Sequence, residues 1–318
     1  MSLILASEDE YEDLLGLWAD LEASLGITLA YPASVQEFLA RVIQYDRWMH
    51  DLLQRDPDVG LYLLFQLATR SSTGYSASHA LVCAVLCHLV AVDFALPVSE
   101  RNSLVRAALT MNIGMTALQD LLANQSVRPG VDQQLAIEEH ANRGTELLGK
   151  MGITDSLWLT IIEKHHTDMS PGQHRQTRQP AQRLVHILRV IDRYAAMISP
   201  RRSREGRSAA ESAQFILNSA EGQYPHVEHA LVRIVGVCPP GTFVQLDDGE
   251  VAVVTRRSNQ PNLPDVAIVI SHNGTPIKPP CLHRTTLGSP IIQSALAASA
   301  VQERLNHHLI LRLGVQFT

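Results

Sequence analysis

The chain has 318 residues, of which 46% are hydrophobic, 18% are charged and 5% are aromatic. Such a chain can bury a sizeable core and is not disordered. Its net charge of -6 argues against non-specific nucleic-acid binding, which needs Lys and Arg to displace counterions.

The first residues, MSLILASEDE, lack the basic start and long apolar core of a secretory signal. Residues 11–25 form an amphipathic stretch with Leu14, Leu15, Trp18, Leu21 and Leu25 near helical spacing. Residues 35–53 form a second, carrying Phe38, Leu39, Val42 and Ile43. Asp56-Pro57-Asp58 breaks the chain, and residues 60–69 make a third, short helix. Residues 1–70 carry no recognisable chemistry and are expected to pack on a helical core or to form a homodimer interface.

Residues 76–94 are apolar on almost every face, which predicts a buried central helix. The run 80–92 is interrupted by His88 and falls short of the roughly 20 residues of a membrane span. Cys83 and Cys87 lie on this helix, Cys238 and Cys281 are isolated, and no CxxC pair occurs, so neither a zinc ribbon nor a disulfide framework is signalled. A soluble cytoplasmic protein with no nucleic-acid or membrane partner is the expectation. Ser99 is the expected N-cap of a helix through Ala108. Helical spacing continues in 136–148, with Ala136, Ile137, His140, Gly144, Leu147 and Leu148. A helix from Asp155 places Trp158, Ile161, Ile162, His165 and His166 on one face, and one from Ala181 does the same for Leu184, Leu188, Asp192 and Ala195.

After Cys238 the pattern changes. Residues 243–246 and 251–254 flank Asp247-Asp248-Gly249 and read as a β-hairpin, with a third strand at 266–270 and a final helix within 288–311. The predicted fold is mainly α. An N-terminal helical region (1–70) precedes a helical domain (71–237), and residues 238–318 form a small C-terminal β appendage with a terminal helix.

Fourteen histidines are many for this length. His79, His140, His165, His166 and Asp192 occupy positions where their helices' apolar stripes should be. A buried Asp is costly unless paired or bound to metal. Imidazole suits zinc, iron and nickel, and carboxylates can complete the shell. Any one of these residues alone reads as a satisfied core side chain. Five on consecutive inward faces point to a metal centre of the kind helical bundles build. Arg201, Arg202, Arg204 and Arg207 form a basic cluster that reads either as an anion site or as a solvated loop.

The order of these residues resembles the HD-GYP family of bacterial phosphodiesterases, which typically hydrolyse cyclic di-GMP. The resemblance covers roughly residues 71–254. Tyr75-Ser76-Ala77-Ser78-His79 is similar to that family's YSxxH opening, and His140 with Gly144 to its HxxxG element. His165-His166 corresponds to its paired histidines, and Val190 to Ala196 to its VxDxYxA element. Residues 199–204 fall on its arginine-rich segment, and Pro239-Pro240-Gly241-Thr242 with the hairpin resembles its C-terminal tail. The resemblance implies an HD-domain helical bundle in which His79, His140, His165, His166 and Asp192 are metal ligands.

The departures matter as much. The HDIGK signature falls on Met111-Asn112-Ile113-Gly114-Met115, so the His is Met111, the Asp is Asn112 and the Lys is Met115. No Gly-Tyr-Pro follows in residues 167–174. In the family the Asp of HDIGK bridges two metals, a role for which neutral Asn112 is poor, and the Met111 thioether is too soft for a hard ferrous or manganous ion. The resemblance then leaves His79 and Asp192 in one depleted metal position. His140, His165 and His166 make up the other, with at most one iron, manganese or zinc ion well held. The alternative is a metal-free relic whose histidines hydrogen-bond to each other and to Asp192. Three functional readings follow. The first is a catalytically impaired regulatory module that binds a protein partner or cyclic di-GMP, with Arg201 and Arg204 meeting phosphate oxygens. The second is a working phosphodiesterase with a reduced metal site. The third is a structural helical domain without ligand.

Overall fold

The computed structural model describes residues 8–70, 74–167, 180–219, 225–260, 262–301 and 303–315. Among them the architecture is a helical assembly carrying a small antiparallel sheet near the C-terminus. Helix α1 (Glu8–Ala30) buries Leu14, Trp18, Leu21, Leu25 and Leu29, a stripe at three- and four-residue spacing. Helix α2 (Phe38–Arg55) buries Phe38, Val42, Tyr45, Met49, Leu52 and Leu53, while Leu39 turns outward. Asp56-Pro57-Asp58 does more than break the chain. Asp56 Oδ1 accepts the backbone N–H groups of Asp58 (3.0 Å) and Val59 (3.1 Å), and Pro57 opens helix α3 (Pro57–Arg70).

Helix α4 (Tyr75–Asp93) is the axis of the fold, buried on nearly all sides from Ser76 to Ala91. It is 19 residues long with a mean hydropathy of 1.7 in its most apolar window. By length and composition it could cross a membrane, and the expected shorter run is to that extent corrected; 83% of that window is nevertheless buried within the protein. Helix α5 (Val98–Thr110) has Pro97 at its N-cap position, so Ser99 lies inside the first turn and is not the cap. A short 3-10 turn (Ile113–Met115) leads into α6 (Thr116–Ala123). Then come α7 (Val131–Lys150), α8 (Ser156–Lys164), α9 (Pro180–Ile198), α10 (Ala209–Asn218) and α11 (Pro225–Val235). Helices α5, α6, α9 and α11 pack on α4, and α8 lies between α5, α7 and α9.

Strands β1 (Phe243–Leu246), β2 (Val251–Arg256), β3 (Asp265–Ile270), β4 (Pro276–Arg284) and β5 (Ile292–Leu296) make one sheet in the order β4-β3-β2-β1-β5, antiparallel throughout. The expected Asp-Gly hairpin is present, with Gly249 at φ +87. Alternation divides the sheet cleanly. Phe243, Val253, Ala267 and Val269 join the main core, and Val244, Leu246, Ala252, Val254, Val266 and Ile268 form a second, smaller cluster. The expected helix within 288–311 is replaced by β5, a 3-10 turn (Ala298–Ala300) and helix α12 (His307–Val315). The free edge of β1 pairs with β5, Phe243 opposite Leu296, and that tertiary pairing overrides the helix propensity of an Ala-rich stretch. Strand β4 escapes the sequence pattern because it carries Pro276, Pro279 and Pro280, which an edge strand tolerates.

The sheet is tied to the N-terminal helices. Arg256 pairs with Asp56, Arg257 Nε lies 2.5 Å from Asp58 Oδ1, and Gln66 Nε2 donates to the Gly241 carbonyl at 2.5 Å. Tyr62 Oη stands 2.8 Å from His307 Nδ1. One hydrophobic cluster runs from Leu14 through the helices to Leu311.

Candidate metal centre

The five predicted ligands converge in two adjoining groups. Helix α4 presents His79, which is buried, and α9 presents Asp192; His79 Nε2 lies 2.8 Å from Asp192 Oδ1. Cys83, one turn further along α4, brings its Sγ to 3.7 Å from the same nitrogen. Helix α7 presents His140, and the end of α8 presents His165, both buried. His166 follows in the turn beyond α8 and is exposed rather than inward, since α8 ends at Lys164 and adjacent residues diverge by about 100°. The rings still cluster, with centroid separations of 5.2 Å for His140–His165, 5.1 Å for His140–His166 and 4.0 Å for His165–His166. Ligand atoms of His140, His165 and His166 lie within 4.8 Å of one another, as do those of His79, Cys83 and Asp192.

Tautomers follow from the partners. His140 Nδ1 lies 2.5 Å from the Ile137 carbonyl, and His165 Nδ1 lies 2.6 Å from that of Ile162. A carbonyl only accepts, so both Nδ1 atoms carry protons and both Nε2 atoms carry lone pairs. Those two Nε2 atoms face each other at 3.3 Å. Burial lowers the basicity of both rings, that of His165 to about 4, and the His166 ring beside them adds to the effect. Both shifts favour the neutral imidazole, and a shared cation would satisfy the two opposed lone pairs. The backbone carbonyls supply the outer support that metal-binding histidines generally have.

The two groups share one electrostatic field. Burial works to raise the Asp192 carboxyl, but the His79 hydrogen bond and the nearby His79, His165 and His166 rings hold it well below the usual carboxylate range. Tyr75 stacks on His79, centroids 5.5 Å apart and planes 12° from parallel, and its hydroxyl accepts from Arg201 Nη2 at 2.9 Å. The Arg201 guanidinium also lies 4.8 Å from the Tyr75 ring centroid. Arg201 thus borders the site through Tyr75, and its buried Nε has no partner among the described residues. Arg204 bridges to Arg201 through the backbone and donates its guanidinium to the Ala196 carbonyl. Arg207 lies over the Phe215 ring.

The segment that departs from the HD signature leads into the 3-10 turn that packs on α7 at His140. Met111 is fully buried at the end of α5, and Asn112 Oδ1 is buried with no hydrogen-bond partner among the described residues. Two residues on, Gly114 packs on α7 so tightly that a Cβ there would fall 2.3 Å from the His140 carbonyl oxygen and 2.7 Å from Gly144 N. The close approach is set by Gly114 and not by Gly144, where a Cβ would make only ordinary contacts, 3.4 Å to Ile113 Cγ2 and 3.5 Å to Gly114 N. Residues 168–174, where the Gly-Tyr-Pro motif would fall, lie outside the described residues.

Two participants escaped sequence reasoning. The sequence shows Cys83 only as a residue of a buried helix four positions from Cys87, although it is equally four residues from His79 and on the same face. Asp120 of α6 holds the start of α4, accepting from Ser76 N (2.7 Å) and Ser76 Oγ (2.9 Å), and no motif flags it.

No protein-family model matches the chain. It is similar to a cyclic di-GMP phosphodiesterase of Pseudomonas aeruginosa, 24% identical over 194 residues, which cover 60% of this chain and 47% of that protein. The chain thus spans about half the length of the relative it matches.

Proposed function

We propose that this chain is a divergent HD-GYP-type phosphohydrolase domain in which His140, His165 and His166 hold one divalent cation, iron, manganese or zinc, and which binds a cyclic dinucleotide such as cyclic di-GMP with impaired turnover. The observation that carries the reading is the pair of opposed, unprotonated Nε2 atoms of His140 and His165, 3.3 Å apart. The similarity to a cyclic di-GMP phosphodiesterase supports the phosphodiester ligand. A cation held there would supply Lewis-acid polarisation of a phosphate oxygen.

The remaining chemistry belongs to the chain. The Ile137 and Ile162 carbonyls orient the two imidazoles, and Asp192 stays ionised beside His79. Arg201, held on Tyr75, offers positive charge at the rim for a phosphate. Against turnover stand Met111, which is apolar, and Asn112, whose neutral amide lacks the charge to bridge two cations. The second reading, a working phosphodiesterase with a reduced metal site, is favoured by the convergence of all five predicted ligands.

The test is incubation of the full chain with cyclic di-GMP and added iron or manganese. Ligand-induced thermal stabilisation with little hydrolysis is expected. Metal-dependent hydrolysis abolished by His165→Ala would favour the second reading, and the absence of both stabilisation and hydrolysis would overturn both.

A further inference from the structure

Cys83 is fully buried on α4, its Sγ 3.7 Å from His79 Nε2, while Asp192 Oδ1 stands 2.8 Å from that nitrogen. The three donor atoms lie within 4.8 Å of one another and come from two long helices, α4 and α9, so they are held on rigid elements. The donor set is also balanced in charge. A thiolate, a carboxylate and a neutral imidazole together carry two negative charges, which a divalent cation cancels. Neutrality matters where His79 and Cys83 are sealed from solvent, because an uncompensated charge there is costly. A His79–Asp192 hydrogen bond alone would need no sulfur beside it.

We propose that Cys83 is a metal ligand and that, with His79 and Asp192, it forms a second cation position whose sulfur donor selects zinc-like over manganese-like ions. This deepens the reading of the bundle as a metal centre, and it adds a donor to the position that His79 and Asp192 alone would leave depleted. Thiolate and imidazole are the donors that zinc and cobalt prefer, whereas magnesium and manganese favour oxygen. On binding at this position, the sulfur–metal bond forms as the thiol proton leaves to solvent, and the His79 proton shared with Asp192 moves from Nε2 to Nδ1 so that Nε2 can ligate; one proton is released in all. The chain would then carry two cations of different preference, a nitrogen-bound one on the three histidines and a sulfur-bound one on α4 and α9.

The test uses the full chain stripped with a chelator and titrated with cobalt(II) as the probe. A near-ultraviolet thiolate-to-cobalt charge-transfer band is expected in the unmodified protein. It should be lost in Cys83→Ser and also in Asp192→Asn, which keeps the thiol, with circular dichroism confirming that each variant is folded. His165→Ala should keep the band while losing the other cation, so failure of the three-histidine site and failure of this one are read separately. The proposal is overturned if the unmodified protein gives no band, if the band survives in Cys83→Ser or Asp192→Asn, or if His165→Ala removes it too.

Discussion

Gly114→Ala is the sharpest probe of how the site is assembled. A Cβ at this position would sit 2.3 Å from the His140 carbonyl oxygen and 2.7 Å from Gly144 N. Both neighbours are helix backbone, which cannot swing aside as a side chain tip can. Comfortable carbon contacts lie near 3.5 Å, so the 3-10 turn and α7 must separate by about 1 Å. Forcing an extra methyl group into packed backbone costs about 3 kcal/mol, the upper end of the range for overpacking. Because α7 carries His140, the same shift should weaken cation binding roughly 10-fold. Gly149 on the same helix is the control: a Cβ there meets nothing within 4 Å, so Gly149→Ala should be neutral or stabilising by up to about 1 kcal/mol. Urea unfolding of the two variants with a matched m-value gives the comparison. A Gly114→Ala protein within about 0.5 kcal/mol of the parent would refute the close approach.

Three further outcomes follow. Arg101 Nε donates to His88 Nδ1 at 3.1 Å, and burial, with Arg101 and His50 adding to it, pulls His88 from 6.5 down to about 4. The unfolded chain therefore binds this proton first, so the His88 contribution is fully present above pH 6.5, is lost as pH falls through 4, and amounts to about 3 kcal/mol at most; His88→Leu should flatten that part of a urea-midpoint-versus-pH curve, and an unchanged slope would sink the assignment. Asp155 caps α8 by accepting Leu157 N and Trp158 N at 3.0 Å and also accepts from Ser103 Oγ at 2.7 Å. Asp155→Ala should destabilise by about 1–2 kcal/mol with Asp155→Asn recovering most of it, and equal loss in both would contradict the capping role. The double change Met111→His with Asn112→Asp should raise manganese-dependent hydrolysis of cyclic di-GMP on the order of 10-fold, and no rise would mean that the missing pair is not what limits turnover.

Much of the bundle was legible because its helices carry clear stripes: Leu14, Trp18, Leu21 and Leu25 on α1 and Leu184, Leu188 and Ala195 on α9 all point inward as their spacing requires. The polar exceptions on those stripes marked the site, and His79, His140, His165 and Asp192 do meet there. What was hidden depends on tertiary partners. Residues 292–296 become a strand because β1 offers an open edge, which local propensity does not encode. Asp56 is read as a chain break from sequence alone, yet it caps α3 and pairs with Arg256, 200 residues away. Cys83 looks like one more apolar residue on a buried helix until Asp192 arrives from α9.

Whether the three histidines share a cation decides the function of the bundle. Equilibrium dialysis against manganese or zinc, followed by elemental analysis of the unmodified full chain and of His165→Ala with its fold verified by circular dichroism, tests this directly. The variant should hold one cation per chain fewer than the parent. Equal metal content in the two proteins, or none in either, would contradict it.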